Sequence, residues 1–124
     1  MSQDIVSDGL NRILNAKRAN KQEVEITAYS KLLTSVLAIA KLKGYIKNYK
    51  VNGTKLSVEI GKLNSCRAIK PRYMVGIEEI DKYRKRYLPA KNLGILIIST
   101  SQGMMTGKTA EEKNLGGSLI AYFY

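Results

Sequence analysis

Apolar and polar positions recur along the chain with two different periods, and the switches between them mark out elements. In DIVSDGLNRILNAKRAN, residues Ile5, Val6, Leu10, Ile13 and Leu14 fall at helical spacing. Asp4 and Asp8 lie at the start of that run and Lys17 and Arg18 at its end, each of the sign that complements a helix dipole. EVEIT (23–27) alternates as a short strand. Ser30 is placed to cap the apolar helix KLLTSVLAIAKLK, a contact worth about 1 kcal/mol, and Gly44 is placed to end it. YIKNYKV and TKLSVEI then flank Asn52-Gly53, which predicts a hairpin. Leu56, Val58 and Ile60 share one face of its second strand; Lys55, Ser57 and Glu59 share the other.

The second half reads differently. IGKLNSCRAIKPRYMV is extended, with Pro71 confining it to an edge. IEEIDKYRKRYL, acidic first and basic last, predicts a short helix stopped by Pro89. LGILIIST is a buried strand. Thr106 or Thr109 can cap a helix through AEEKN, with Thr109 and Glu112 at capping-box spacing. Gly116-Gly117 breaks that helix before a final strand, SLIAYFY. The expected fold is α/β of the α+β kind, in two small lobes. Residues 1–62 form helix, strand, helix and hairpin; residues 63–124 form a mixed β-sheet with short helices.

One motif suggests chemistry. GMMTGKT (103–109) follows an apolar strand and ends in Gly-Lys-Thr, as a nucleotide-binding P-loop does. The spacing is one residue short of G-x-x-x-x-G-K-[ST]: Gln102 stands where the first glycine belongs. No later strand supplies an acidic residue for Mg²⁺. Three readings remain: a small NTP-binding protein using Lys108 and Thr109, a plain strand-to-helix turn, or a loop of hydroxyls and amides aimed at nucleic acid.

Charge narrows these. The 124 residues carry 21 Lys+Arg against 10 Asp+Glu, a net of +11. Most of the excess lies in residues 41–72, where nine basic side chains meet one acidic one. Such a block, Lys70 and Arg72 included, suits phosphate neutralisation and points to a polyanionic partner. With no His, neither a Ser-His-Asp nor a Cys-His pair can form. Cys66 stands alone, so there is no internal disulfide and no protein-built zinc site. We therefore expect no catalytic residue, no metal, no cofactor and no small-molecule substrate. The absence of a membrane-length apolar run or a secretory leader gives an expectation of cytoplasmic location.

Candidate contacts follow from side-chain chemistry. Tyr29, Tyr45, Tyr49, Tyr73, Tyr83 and Tyr87 could stack on bases or pack with their hydroxyls at the surface. In STSQGMMTG, Ser99, Thr100 and Ser101 offer three adjacent hydroxyls, and Gly103 and Gly107 allow close backbone approach. Strand alternation puts Ser99 and Ser101 on one side and Thr100 on the other. Turn formation and capping are the competing use of the same hydroxyls.

The segment GILIISTSQGMMTGKTAEEKNLGGSLIAYFY (94–124) resembles the C-terminal signature of the small-subunit ribosomal protein eight family. That signature is an apolar strand, S-T-S/T-x-G-x-M, a short helix, Gly-Gly and an aromatic last strand. IGKLNSCRAIKPRY and KRYLPAKNLG are similar to its archaeal and eukaryotic branch; LNRILNAKRANK and AYSKLLTSVLAIAKLKGYI resemble its first two helices. The resemblance implies a two-lobe protein with no catalysis, bound to the central domain of small-subunit rRNA and acting early in assembly. Proteins five and seventeen of the same subunit are candidate neighbours. It implies RNA contacts at Ser99, Thr100, Ser101, Gly103 and Met105, and at Gly116, Gly117 and Ser118. Further contacts fall at Tyr29, Ser30 and Lys31, and at Arg12 and Asn15. Bacterial members carry Glu directly after the Gly-Gly pair; here that residue is Ser118, so the contact differs in detail. A non-specific basic RNA binder is the remaining alternative.

Overall fold

Helix α1 (Ile5–Arg18) is held at its start by Asp4, whose carboxylate accepts from the Ser7 amide at 3.0 Å. Its apolar stripe, Val6, Leu10, Ile13 and Leu14, is buried. Asn20, in the left-handed region at φ 60°, turns the chain out of the helix into β1 (Glu23–Ile26). The computed structural model describes residues 4–90 and 93–124. Ser30 caps α2 (Lys31–Leu42) by accepting from the Leu33 amide at 3.2 Å. Strands β2 (Ile46–Asn52) and β3 (Lys55–Ile60) pair antiparallel, and β1 joins the far side of β3, giving the order β1-β3-β2. Leu56 and Val58 on the central strand are buried, and both helices pack on this sheet.

The hairpin turn sits one residue later than Asn52-Gly53 predicts. Asn52 pairs with Lys55, so Gly53 and Thr54 form the loop, with Gly53 at φ +63°. A glycine with positive φ at the first loop position is the type II′ pattern, in place of the type I′ turn that an Asn-Gly centre would make.

The chain divides into two units between Arg67 and Ala68. The sequence placed that boundary at 62/63. Leu63 and Cys66 are both buried, and the Cys66 thiol donates to the Leu10 carbonyl oxygen at 3.5 Å, which ties these residues to α1. Burial pushes the Cys66 thiol up to about 12, against the opposite pull of Arg67. A thiol held neutral is unreactive. Native protein at pH 8 should therefore resist a thiol reagent until it unfolds, and modification in urea should track loss of structure. Rapid labelling of folded protein would contradict this placement. Above about pH 9 the unfolded chain ionises this group and the folded chain does not. Its contribution to stability thus falls as pH rises, by about 1.4 kcal/mol per unit.

The second sheet, of order β4-β8-β6-β7 with β5 also paired to β8, lies in the second unit apart from Cys66 and Arg67. Its strands are β4 (Cys66–Ala68), β5 (Met74–Val75), β6 (Ile95–Thr100), β7 (Gly103–Thr106) and β8 (Gly117–Phe123). β6 pairs antiparallel with β7 and β8, and β5 pairs antiparallel with β8. Leu96, Ile98, Met105, Leu119 and Val75 face a core that Ile80 and Tyr83 of α3 (Ile80–Tyr87) and Ala110 of α4 (Gly107–Glu112) complete. A single 3₁₀ turn, Ile77–Glu79, leads into α3, which stops before Pro89 as expected.

Candidate nucleic-acid interface

The stretch read from sequence as an open loop is a β-hairpin. Thr100 pairs with Gly103, leaving Ser101 and Gln102 as the two loop residues. Thr100 fixes the turn: its hydroxyl donates to the Gly103 carbonyl oxygen at 2.8 Å and accepts from the Gln102 amide at 3.1 Å. Gly103 takes φ +113°, which a residue with a Cβ rarely adopts. The turn-forming hydroxyl is therefore Thr100. The Ser101 hydroxyl is exposed at the tip and makes no hydrogen bond among the described residues.

Behind the tip, four strands bring one row of residues together. Met74 lies opposite Ser118, Ser118 opposite Ser99, and Ser99 opposite Met104. Directly paired residues share a sheet face, so two serines sit between two methionines. The Ser118 hydroxyl donates to the Met74 sulfur at 2.7 Å, and Met74 is 75% exposed. The row is close-packed because of the glycines beside it. A Cβ on Gly117 would strike the Ser99 carbonyl oxygen, and one on Gly116 would come within 2.5 Å of the Val75 oxygen. Met74 and Met104 were missed by the sequence reading, since only strand register puts them beside the serines. Met105 is the opposite case: its side chain is 7% exposed in the core, so only its backbone could meet a partner.

GMMTGKT does not form a phosphate-wrapping loop. Gly103–Thr106 is a strand paired to β6, and Gly107 opens α4. Thr106 is the cap, accepting from the Thr109 amide at 3.3 Å and bonding the Thr109 hydroxyl at 3.1 Å. The Thr109–Glu112 capping box does not arise, because the helix begins three residues before that spacing would need. The NTP-binding reading is not favoured.

In the first unit, Arg12 and Asn15 share the exposed face of α1 and line a cleft of about 580 Å³ with Asp8, Asn11, Thr27 and Ala28. Tyr29, Ser30 and Lys31 continue directly from the cleft wall. The Tyr29 hydroxyl donates to the Gly53 carbonyl oxygen at 2.9 Å, and Ser30 is occupied as the α2 cap, so Lys31 is the exposed member. Of the basic block, Lys43, Lys47, Lys50, Lys62, Lys70 and Arg72 are exposed. Lys41 lies over the Tyr49 ring at 5.9 Å and bonds Asn48 at 3.1 Å.

A family model described as Ribosomal protein S8 matches residues 4–124. The chain belongs to the ribosomal protein S8 family. It is 42% identical over 129 aligned positions to the small ribosomal subunit protein uS8 of Nanoarchaeum equitans, covering all of both chains. It is 43% identical to that of Archaeoglobus fulgidus, again over the full length of both. With that of Methanococcoides burtonii it shares 40% identity, over 98% of this chain and 97% of the other. The S8 match spans both units, so the α1 cleft and the β6–β7 hairpin fall within the same family alignment.

Proposed function

We propose that this chain is a structural constituent of the small ribosomal subunit, in the cytoplasm, and binds small-subunit rRNA. The finer reading is a primary binder of the central domain of that RNA, helping it assemble beside proteins five and seventeen. The observation that carries it is the Met74–Ser118–Ser99–Met104 row with the Ser101 tip beyond it, on a chain aligned end to end with relatives named for that subunit. Ser99, Ser101, Gly103 and Ser118 would meet bases, sugars and backbone oxygens. RNA presents such groups in splayed single strands and across the shallow groove. Gly116 and Gly117 would hold the serines in register, and Thr100 would set the turn. Arg12, Asn15, Tyr29, Ser30 and Lys31 would form a second contact region, and Lys70 and Arg72 would neutralise phosphate.

Ser101→Ala tests the recognition role. It should cost about 1–3 kcal/mol of affinity by leaving an RNA polar group unpaired. Melting temperature should hold, since the hydroxyl has no partner among the described residues, and so should the salt slope, since the charge is unchanged. Binding of a central-domain stem and a scrambled stem, each across a salt series, provides the comparison. A variant that melted early yet bound normally would return Ser101 to the turn. A loss shared equally by the scrambled stem would favour a non-specific binder. Purified protein should show no NTP turnover; turnover abolished by Lys108→Ala would reinstate the enzyme alternative.

A further inference from the structure

The second unit carries a cationic feature that this reading leaves unused. Five tyrosines form one series of stacked rings. Tyr73 meets Tyr83 at 5.4 Å between centroids, Tyr83 meets Tyr87 at 6.5 Å, Tyr87 meets Tyr122 at 5.5 Å and Tyr122 meets Tyr124 at 6.0 Å. The rings pack against the core of the unit. Cations from α3 lie over them: the Arg86 guanidinium at 5.9 Å from Tyr73 and 5.5 Å from Tyr87, and the Lys82 ammonium at 5.6 Å from Tyr83. Lys82, Lys85 and Arg86, three and four apart, share the exposed face of the helix.

The neighbouring arginine shows what a structural cation looks like here. Arg84 is 17% exposed and is bound by the carboxylates of Asp81 and Glu111. The other acids close by are Glu78, which is exposed, and Glu79, whose carboxylate accepts from the Gly76 amide at 3.1 Å. Lys85 touches Asp81 at 3.3 Å, but both are open to water, and such a pair holds weakly. Arg86 makes no ion pair among the described residues; its contacts are the two rings.

A guanidinium lying over rings has its freedom already reduced while its N–H edge stays available to fork onto phosphate. Ordering done in advance favours binding. Cations lie over Tyr73, Tyr83 and Tyr87, so at these rings the surface offers charge and N–H donors rather than a bare stacking platform. We propose that Lys82 and Arg86, held over the tyrosine series, form with the neighbouring Lys85 a second phosphate-binding surface, and that its occupant is the RNA backbone. This rests on the RNA-binding reading above; charge complementarity selects RNA over a protein neighbour.

The test uses the full chain and a transcript of an archaeal small-subunit rRNA central domain, titrated from 50 to 300 mM salt. Lys82→Ala/Lys85→Ala/Arg86→Ala should bind on the order of tenfold more weakly, with a log–log salt slope shallower by about 0.9 for each phosphate no longer neutralised. Arg86→Lys should keep the slope and lose affinity, because the charge remains and the fork does not. If the triple variant melts early, Lys82→Gln/Lys85→Gln retains the stems and should still flatten the slope. Wild-type affinity and slope in folded variants, with Ser101→Ala still weakened, would overturn this surface and leave the hairpin reading standing. Normal RNA binding with failed incorporation into reconstituted subunits would assign the face to a protein instead, which also overturns it. Failure of the wild-type chain to bind the transcript would remove the RNA-binding reading itself.

Discussion

Gly117→Ala is expected to lower both stability and RNA affinity, and by more than any change at the hairpin tip. The added methyl would collide with the Ser99 carbonyl oxygen and would stand 3.0 Å from Ile98 Cγ2. β8 has little room to retreat, because β6 pairs with it on one side and β5 on the other. Forcing a group into a filled space costs about 1–3 kcal/mol, sometimes more, against a total stability of roughly 5–15 kcal/mol. At about 4 °C per kcal/mol, the melting temperature should drop by several degrees or more. Affinity should fall with it, since any shift of β8 carries Ser118 away from Ser99. Gly53→Ala is the informative control. Gly53 also resists a side chain, through its φ of +63°, but nothing lies within 4 Å of its added Cβ. It should cost only about 1 kcal/mol and leave RNA binding intact. Equal melting of Gly117→Ala and wild type would mean that the strands do not approach as closely as described.

The contrast between those glycines mirrors what the sequence can and cannot express. Local rules carried the first unit well: Ser30 caps its helix by accepting from an amide three residues on, and Asp4, read from sequence only as a charge suited to the helix dipole, does the same. The β2–β3 hairpin formed for the same reason, with only its loop displaced, because Lys55 found register with Asn52. The Gly-Lys-Thr ending drew attention from the strand period in Gly103–Thr106; of the two cap candidates, Thr106 and Thr109, the strand pairing that runs up to Thr106 selects the first. The serine row and the tyrosine series depend on long-range partners. Tyr83 and Tyr87 are one helical turn apart and legible as neighbours. Tyr73 with Tyr83, and Tyr87 with Tyr122, meet only through tertiary packing. Met105 shows the same limit from the other side. Its place in the motif resembles a contact position, while the alternation of β7 turns its side chain into the core.

RNA affinity should fall about 10³-fold or more between 50 and 200 mM salt. Residues 41–72 carry a net charge of +8, and Lys43, Lys47, Lys50 and Lys62 of that block stand exposed on the first unit. Lys55 lies 3.4 Å from Glu25, but both side chains are more than half exposed, so this pair should yield to a phosphate. Neutralising six or more phosphates releases enough counterions to give a slope near −0.9 per phosphate, which is the source of the ~10³-fold figure. Lys47 and Lys50 are the residues to remove first. They lie on β2, an edge strand of its sheet, where charge also discourages pairing with another chain. Lys47→Ala/Lys50→Ala should therefore leave melting unchanged and flatten the slope by up to about two phosphates' worth, equally for cognate and scrambled stems. Phosphate contacts set affinity without reading sequence, so preference between the stems should survive. Direct titration of both proteins against both RNAs, at fixed temperature and pH, gives the slopes. A flat response in the wild-type chain would place the whole block in solvent, and recognition would then rest on the uncharged serine row alone.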